Sequence, residues 1–212
     1  MAEQIKEYAT KSFEHLLGLT GFSDALLKNH FTLYDGYVKN VNKLAAALAQ
    51  FLQEGKTAAP EYAELKRRFG WEFGGMRLHE CYFDNLTKNR TPLGPESKLG
   101  RALAMDFGSL ELWEKDFKAV GTMRGIGWVT LAFDAHGGRL FNVWTNEHDA
   151  GNLPGCFPIL VMDVFEHAFM LDYGLKRADY VAAFFGAVDW TRASERFERA
   201  LAAPSQTGCC CK

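Results

Sequence analysis

The chain has 212 residues, a formal net charge of −2, and hydrophobic and charged fractions of 48% and 24%. This composition is typical of a globular protein that is long enough to bury a sizeable core. It lacks the basic excess of a nucleic-acid surface and any apolar run of about 18 residues. We therefore expect no nucleic-acid partner and no membrane partner.

The first half of the sequence predicts two long helices that form a hairpin. The first helix follows a capping residue, Ser23, after which apolar side chains recur at helical spacing. The second helix covers about residues 60–87 and is predicted to be loosened near Phe69 and Gly70, because glycine is a poor helix former. We therefore expect residues 1–91 to form an N-terminal helical hairpin domain.

The second half predicts short helices and a small antiparallel sheet. Its first segment contains two prolines and a glycine, which is typical of a linker. The elements predicted after this linker are two helices, three strands and two closing helices, at about 97–106, 109–121, 127–133, 139–144, 157–162, and from about 165 and 179. We therefore expect an α+β fold, with an α/β domain at residues 92–212 that contains a three-stranded antiparallel sheet.

Three histidines and one aspartate are the candidate metal ligands: His30, His79, Asp163 and His167. Such a set of nitrogen and oxygen donors suits manganese, iron or zinc better than copper(I) or an iron–sulfur cluster. Ordinary structural roles are open for the same residues. A histidine among aromatic side chains is often a core residue, and Asp163 with Glu166 also fits an acidic capping box, in which Asp163 caps a helix. The two roles of Asp163 are compatible, because one carboxylate oxygen can cap while the other binds the metal.

Four stretches around these residues resemble the iron/manganese superoxide dismutase family. They are the run Asp163–Phe169 with Arg177–Val181 after it, His30 with Tyr37–Asn42, the segment Trp71–Phe83 around His79, and Gly125–Trp128. The resemblance implies that the chain is an enzyme that disproportionates superoxide anion, with one iron or manganese ion per subunit held by His30, His79, Asp163 and His167. It also implies a homodimer or a dimer of dimers. The alternative is a metal-binding protein of this fold without fast turnover, serving storage or partner binding.

The resemblance also implies roles for residues around the metal. Trp128 is expected to form a wall of the site. Glu166 is expected to meet the ligand histidine of the other subunit, and Arg177 either attracts the anion or braces the interface. The family places a tyrosine eight residues after its first histidine and a second histidine four residues after it. This chain has Tyr37 seven residues on and Tyr34 four residues on, so either tyrosine is a candidate to guard substrate entry.

The run Glu147-His148-Asp149 departs from the family's pattern. Manganese-type members have a glutamine at the position of His148, and iron-type members take theirs from the position of Gly75. We therefore expect His148 to fill the space beside Gly75 and to contact the metal-bound solvent; a surface-loop histidine is the alternative. Because histidine titrates near pH 6.5, replacing it with glutamine is expected to change the pH profile between about 6 and 9.

The cysteines and the N-terminus favour a cytoplasmic location. The first residues show neither the basic nor the apolar part of a signal peptide. Cys81 and Cys156 lie in apolar surroundings and are expected to be reduced thiols. Cys209–Cys211 form a terminal cluster to which we assign no catalytic role.

The family has a tyrosine at an interface position where this chain has Met170.

Overall fold

The computed structural model describes residues 6–203. In this range a long helical hairpin is followed by two helices, three strands and three closing helices. The helices are α1 (Asp24–Gln53), α2 (Pro60–Phe83), α3 (Lys98–Phe107), α4 (Leu110–Gly121), α5 (Met170–Tyr173), α6 (Arg177–Ala187) and α7 (Trp190–Leu201), the strands are β1 (Gly127–Asp134), β2 (Arg139–Asn146) and β3 (Cys156–Asp163), and short 3₁₀ turns cover Glu14–Leu16 and Glu166–Ala168. The predicted α+β fold class is confirmed.

The hairpin helices begin at local signals in the sequence. The Ser23 hydroxyl accepts a hydrogen bond from the Leu26 amide at 3.0 Å and caps α1. Pro60 is the first residue of α2, where its missing N–H costs nothing. The predicted loosening of α2 near Gly70 is wrong, because the helix runs unbroken from Pro60 to Phe83. Glycine lowers helix propensity, but it keeps its backbone N–H donor. Packing of α2 on α1 is therefore enough to keep the helical turn around Gly70.

The sheet has the strand order β2-β1-β3, and both pairings are antiparallel. The central strand β1 is buried along nearly its whole length. Trp128 stands opposite Asp163 on β3 and opposite Thr145 on β2. The sheet register therefore brings the start of β1 and the end of β3 together at one end of the sheet, beside the hairpin.

Buried apolar side chains from both halves of the described chain form one continuous cluster. The predicted boundary between residues 91 and 92 lies in the segment that joins α2 to α3, and the division into two domains stays a prediction. Within residues 6–203, no helix is both long and apolar enough to cross a bilayer. The Cys209–Cys211 cluster lies outside the described residues.

Candidate metal centre

The four predicted ligands converge from four separate elements. His30 lies on α1, His79 on α2, Asp163 at the end of β3, and His167 in the 3₁₀ turn that follows. One potential ligand atom from each residue lies within 4.8 Å of all the others. His30, His79 and Asp163 are at most 1% exposed, and the His167 side chain is 28% exposed. The fold thus assembles three imidazoles and one carboxylate around a single buried point.

The two oxygens of the Asp163 carboxylate have different partners. Oδ2 lies 3.1 Å from Nε2 of His30 and of His167, and 3.6 Å from Nε2 of His79. Oδ1 accepts the Phe165 amide at 2.8 Å. The capping-box alternative is therefore wrong in detail: the 3₁₀ turn is capped at Phe165, and Asp163 forms a tight turn two residues long. One oxygen fixes the chain while the other faces the histidines.

Burial favours the neutral forms of His30 and His79. It lowers the pKa of His30, against an opposing effect of Asp163, and it lowers the pKa of His79 further, together with the charge of His30. Nδ1 of His79 lies 2.6 Å from the Gly75 carbonyl and donates to it, because a carbonyl only accepts. Nε2 of His79 therefore carries a lone pair, and it is buried without a hydrogen-bond partner. A metal ion would satisfy this atom, so the residues fit a metal.

Asp163 stays ionised in this buried setting. Burial alone would raise the pKa of its carboxyl group, but the charge and hydrogen bond of His167 and those of His30 outweigh burial and hold the pKa well below the ordinary range. The Asp163 carbonyl accepts the Tyr180 hydroxyl at 2.6 Å. The carboxylate is thus fixed from the backbone side and supplies one negative charge to the cluster.

A chain of hydrogen bonds runs beside the ligands through Trp128, His148 and Tyr37. The Trp128 indole N–H donates to His148 Nδ1 at 3.0 Å, and His148 Nε2 lies 2.7 Å from the Tyr37 hydroxyl. Because Nδ1 accepts, the neutral imidazole carries its proton on Nε2 and donates it to Tyr37. The Tyr37 ring stacks on His79 with centroids 5.1 Å apart, and Trp128 meets His79 edge-on at 4.9 Å. The Tyr37 proton is left free to be donated elsewhere.

The space at Gly75 is filled by Tyr37 and not by His148, which corrects the sequence-based expectation. A Cβ added at Gly75 would stand 2.6 Å from the Tyr37 ring, whereas one added at Gly74 would stand 2.2 Å from the His148 carbonyl oxygen. The Tyr37 ring on α1 therefore packs directly on Gly75 of α2, and the loop that carries His148 packs on Gly74. His148 itself is fully buried, so the alternative of a surface-loop histidine is also wrong.

The hydroxyl groups of the two candidate tyrosines have different hydrogen-bond partners. Tyr34 donates to the Glu80 carboxylate at 3.0 Å and accepts the Lys11 amide at 3.2 Å. Burial raises the pKa of Tyr34 to about 12. Of the two hydroxyls, the Tyr37 hydroxyl is the one that joins the chain of hydrogen bonds beside the ligands. Tyr34 instead ties the N-terminal segment to α2.

Glu166 and Arg177 lie at the surface near His167. The Glu166 side chain is exposed and makes no ion pair or hydrogen bond with the described part of the chain. Arg177 donates to the Gly125 carbonyl at 2.7 Å and to the Met123 carbonyl, and its guanidinium lies over the Phe169 ring. These contacts hold the 123–125 loop of the same chain, and both roles considered for Arg177 stay predictions.

Several neighbours of the site were not singled out from the sequence. Tyr180 holds the Asp163 carbonyl, Glu80 ties Lys11 to α2, and Trp71 packs on His148 with centroids 4.5 Å apart. Tyr180 lies in the stretch Arg177–Val181, three residues after Arg177, and this position is the signal that could have identified it. Glu80 directly follows His79, but nothing in the sequence shows that Lys11 reaches it.

Comparisons with known proteins agree with this geometry. The family model described as "Iron/manganese superoxide dismutases, C-terminal domain" matches residues 95–196. An iron superoxide dismutase of Cupriavidus metallidurans is 39% identical over an alignment of 188 residues, which covers 86% of this chain and 92% of that protein. A manganese superoxide dismutase of Haloferax volcanii is 36% identical, covering 82% of this chain and 85% of its own. An iron superoxide dismutase of Aquifex pyrophilus is 36% identical, covering 87% and 88%.

Proposed function

The chain belongs to the iron/manganese superoxide dismutase family, and on that premise we propose how its own residues carry out the reaction. It is a metal-dependent oxidoreductase that converts superoxide to oxygen and hydrogen peroxide with iron or manganese. The alternative of a metal-binding protein without turnover is not favoured, because relatives that match over 80% of the chain are named as dismutases.

His30, His79, Asp163 and His167 hold the metal. The observation that carries this assignment is the convergence of their ligand atoms within 4.8 Å in a buried cluster. The neutral imidazoles of His30 and His79 offer lone pairs without first losing a proton, and Asp163 offers a charge that offsets part of the metal's. When bound, the metal would supply a centre that takes one electron from one superoxide and gives one electron to a second superoxide.

The residues beside the ligands manage protons and exclude water. Trp128 and Tyr37 cover His79 with aromatic surface, which keeps bulk water from the centre. His148 holds its proton at Nε2 and directs it at the Tyr37 oxygen. Tyr37 is thereby free to donate its own hydroxyl proton to the peroxide that leaves. Tyr37, rather than Tyr34, is the residue that guards substrate entry.

The protein acts as a homodimer or a dimer of dimers, with Glu166 reaching His167 of the other subunit. Support comes from the exposed, unpaired Glu166 carboxylate and the exposed face of His167. Four large apolar side chains are also exposed, three within nine positions of Glu166 in the chain and one in the loop that Arg177 holds: Met170, Leu171, Leu175 and Met123. Exposed apolar side chains together with charged ones are typical of a subunit interface. Arg177 braces this face through the 123–125 loop.

The cytoplasm is the compartment that fits the thiols. Cys81 and Cys156 are both free, and disulfides are rare in reducing compartments. The metal in use is iron or manganese, since relatives of both kinds match the chain.

Metal analysis joined to a superoxide-consumption assay tests the function and the ligands together. Apoprotein reloaded with iron or with manganese is expected to bind one ion per subunit and to consume superoxide with at least one of them. Asp163→Ala should abolish both binding and turnover, since it removes the negative donor. Asp189→Ala is the matched control: it removes a helix cap at α7 and should cost about 1 kcal/mol of stability without loss of metal. Full occupancy and turnover in Asp163→Ala would overturn the assignment.

A further inference from the structure

Glu147 has a backbone conformation that is unusual for its residue type. Its φ is +50°, and it is the one non-glycine residue with positive φ in the part of the chain that the structure describes. The left-handed region is unfavourable for a residue with a long side chain, so neighbouring contacts must hold it there. Glu147 directly precedes His148. The strained residue therefore sets the direction in which the His148 backbone leaves β2.

Trp71 supplies the contact that holds Glu147. Its indole N–H donates to the Glu147 carboxylate at 2.8 Å, from α2 to the loop after β2. The Trp71 ring is itself fixed by the Arg68 guanidinium, which lies 3.9 Å from its centroid. Arg68 in turn pairs at 2.8 Å with Glu72, which is buried. The indole donor is thus also held by contacts within α2 that do not involve the loop.

The same loop is seated tightly on α2. The His148 carbonyl oxygen leaves no room for a side chain at Gly74, where a Cβ would stand 2.2 Å away. The Trp71 and His148 rings meet in an edge-to-face arrangement, with centroids 4.5 Å apart and an interplanar angle of 68°. His148 therefore packs on α2 at Gly74 and at the Trp71 ring. Its two ring nitrogens form hydrogen bonds with Trp128 and Tyr37.

We propose that Trp71 and Glu147 are positioning residues, whose hydrogen bond holds the 147–152 loop in the strained form that delivers His148 to Tyr37 and Trp128. We call this pair the Trp71–Glu147 clamp. It acts through His148 and does not touch the ligands. The inference rests on the proposed function only in so far as His148 serves the metal centre, because the clamp itself is a property of the loop.

Hydrogen exchange in the metal-loaded protein tests the clamp directly. Trp71→Phe keeps an aromatic ring but removes the donor, and Glu147→Ala removes the acceptor. Each is expected to speed exchange in the peptide covering residues 146–152 by roughly fivefold, the effect of losing one hydrogen bond. The double variant should exchange no faster than either single variant, because both remove the same bond. Glu147→Gln keeps an acceptor oxygen and should restore slow exchange.

Turnover is measured on the same samples. The single variants should lose activity by a similar factor at unchanged metal content, and Glu147→Gln should recover most of it. Glu64→Ala is the control, since it removes an exposed glutamate paired only with Arg67 on the hairpin. Additive effects, no rescue by Glu147→Gln, or unchanged exchange would each overturn the clamp. A loaded wild-type protein without turnover would instead overturn the proposed function, and the exchange results would still decide on the clamp.

Discussion

The ring of Tyr37 lies against the backbone of Gly75, so close that a Cβ at position 75 would stand 2.6 Å from ring atom Cδ1. Two residues from different helices of the hairpin thus depend on each other. A helix-interior glycine costs about 0.5–1 kcal/mol relative to alanine. Glycine at position 75 leaves room for the Tyr37 ring in the position from which its hydroxyl reaches His148.

Gly75→Ala is expected to impair the enzyme although alanine is the better helix former. The methyl group displaces the Tyr37 ring from His148, and misplacing a proton donor by about 1 Å lowers turnover roughly tenfold to a hundredfold. Gly70→Ala is the matched control on the same helix, because nothing lies within 4 Å of its added Cβ. It should raise stability by about 0.5–1 kcal/mol and leave turnover unchanged. Steady-state kinetics and urea unfolding check both variants, and equal turnover in the two would refute the steric argument.

His148→Gln is expected to change the ratio of iron-supported to manganese-supported activity while metal content stays nearly intact. A glutamine amide can accept from Trp128 and donate to Tyr37, and it carries a second donor hydrogen that neutral histidine lacks. Because the His148 ring lies 6.1 Å from the His79 ring, an additional donor hydrogen here is expected to alter the preference of the centre between oxidation states. The measurement is turnover after reloading with each metal. A wild-type ratio would leave His148 without a role in metal preference.

The pH profile between 6 and 9 should not respond to that substitution. Burial lowers the pKa of His148 to about 4, so the ring stays neutral over the whole range. The sequence-based expectation of a changed profile used the ordinary value near 6.5, and the burial of His148 overturns it. A shift of the profile in His148→Gln would contradict this correction.

Acid is expected to destabilise the apoprotein before any carboxylate titrates. His148 has a lower pKa folded than unfolded, so the unfolded state binds more protons between about pH 6.5 and 4. Its stabilising effect is therefore complete above pH 6.5 and is lost as the pH falls through this window. His148 alone accounts for about 2 kcal/mol by pH 5. His30 and His79 act in the same direction. Urea unfolding at pH 7.5 and 5 checks this, with His148→Gln expected to show a smaller loss.

Glu166→Ala is expected to weaken the dimer and the metal site together. The carboxylate is exposed within one subunit, so its loss should have no effect on a monomer's fold. Sedimentation velocity and metal analysis give the two readouts. Glu114→Ala is the control, since Glu114 is exposed and pairs with Lys118 on its own helix. Wild-type protein that sediments as a monomer at micromolar concentration would refute the interface.

The fold was predictable because its elements follow local patterns in the sequence, whereas the ligand cluster was predictable from four stretches that resemble the family. Ser23 caps α1, Pro60 opens α2, and the linker prolines separate hairpin from sheet. The four stretches are specific as an ordered set, whereas any one of them alone would be a weak signal. The four residues meet as predicted, and their binding of a metal remains our proposal.

Contacts between distant segments were not predictable in the same way. Whether Tyr37 or His148 occupies the space beside Gly75 depends on the depth at which α1 packs on α2, which side-chain spacing does not specify. The direction of Tyr34 depends on Lys11 and Glu80, which are 69 positions apart. The burial that lowers the pKa of His148 depends on a strained backbone at Glu147. Each of these follows from tertiary packing rather than from propensity.

The Asp163 carboxylate and the His30 imidazole face each other across 133 positions of chain. An ion that joins them can bind tightly only after the hairpin and the sheet have docked, since no unfolded chain presents the four donors together. Metal binding is therefore coupled to folding, and the loaded protein gains stability in proportion to the logarithm of the free ion concentration. A chelator that removes the ion should lower the melting temperature as well as the activity. The stability of the protein therefore depends on how much metal is supplied to it.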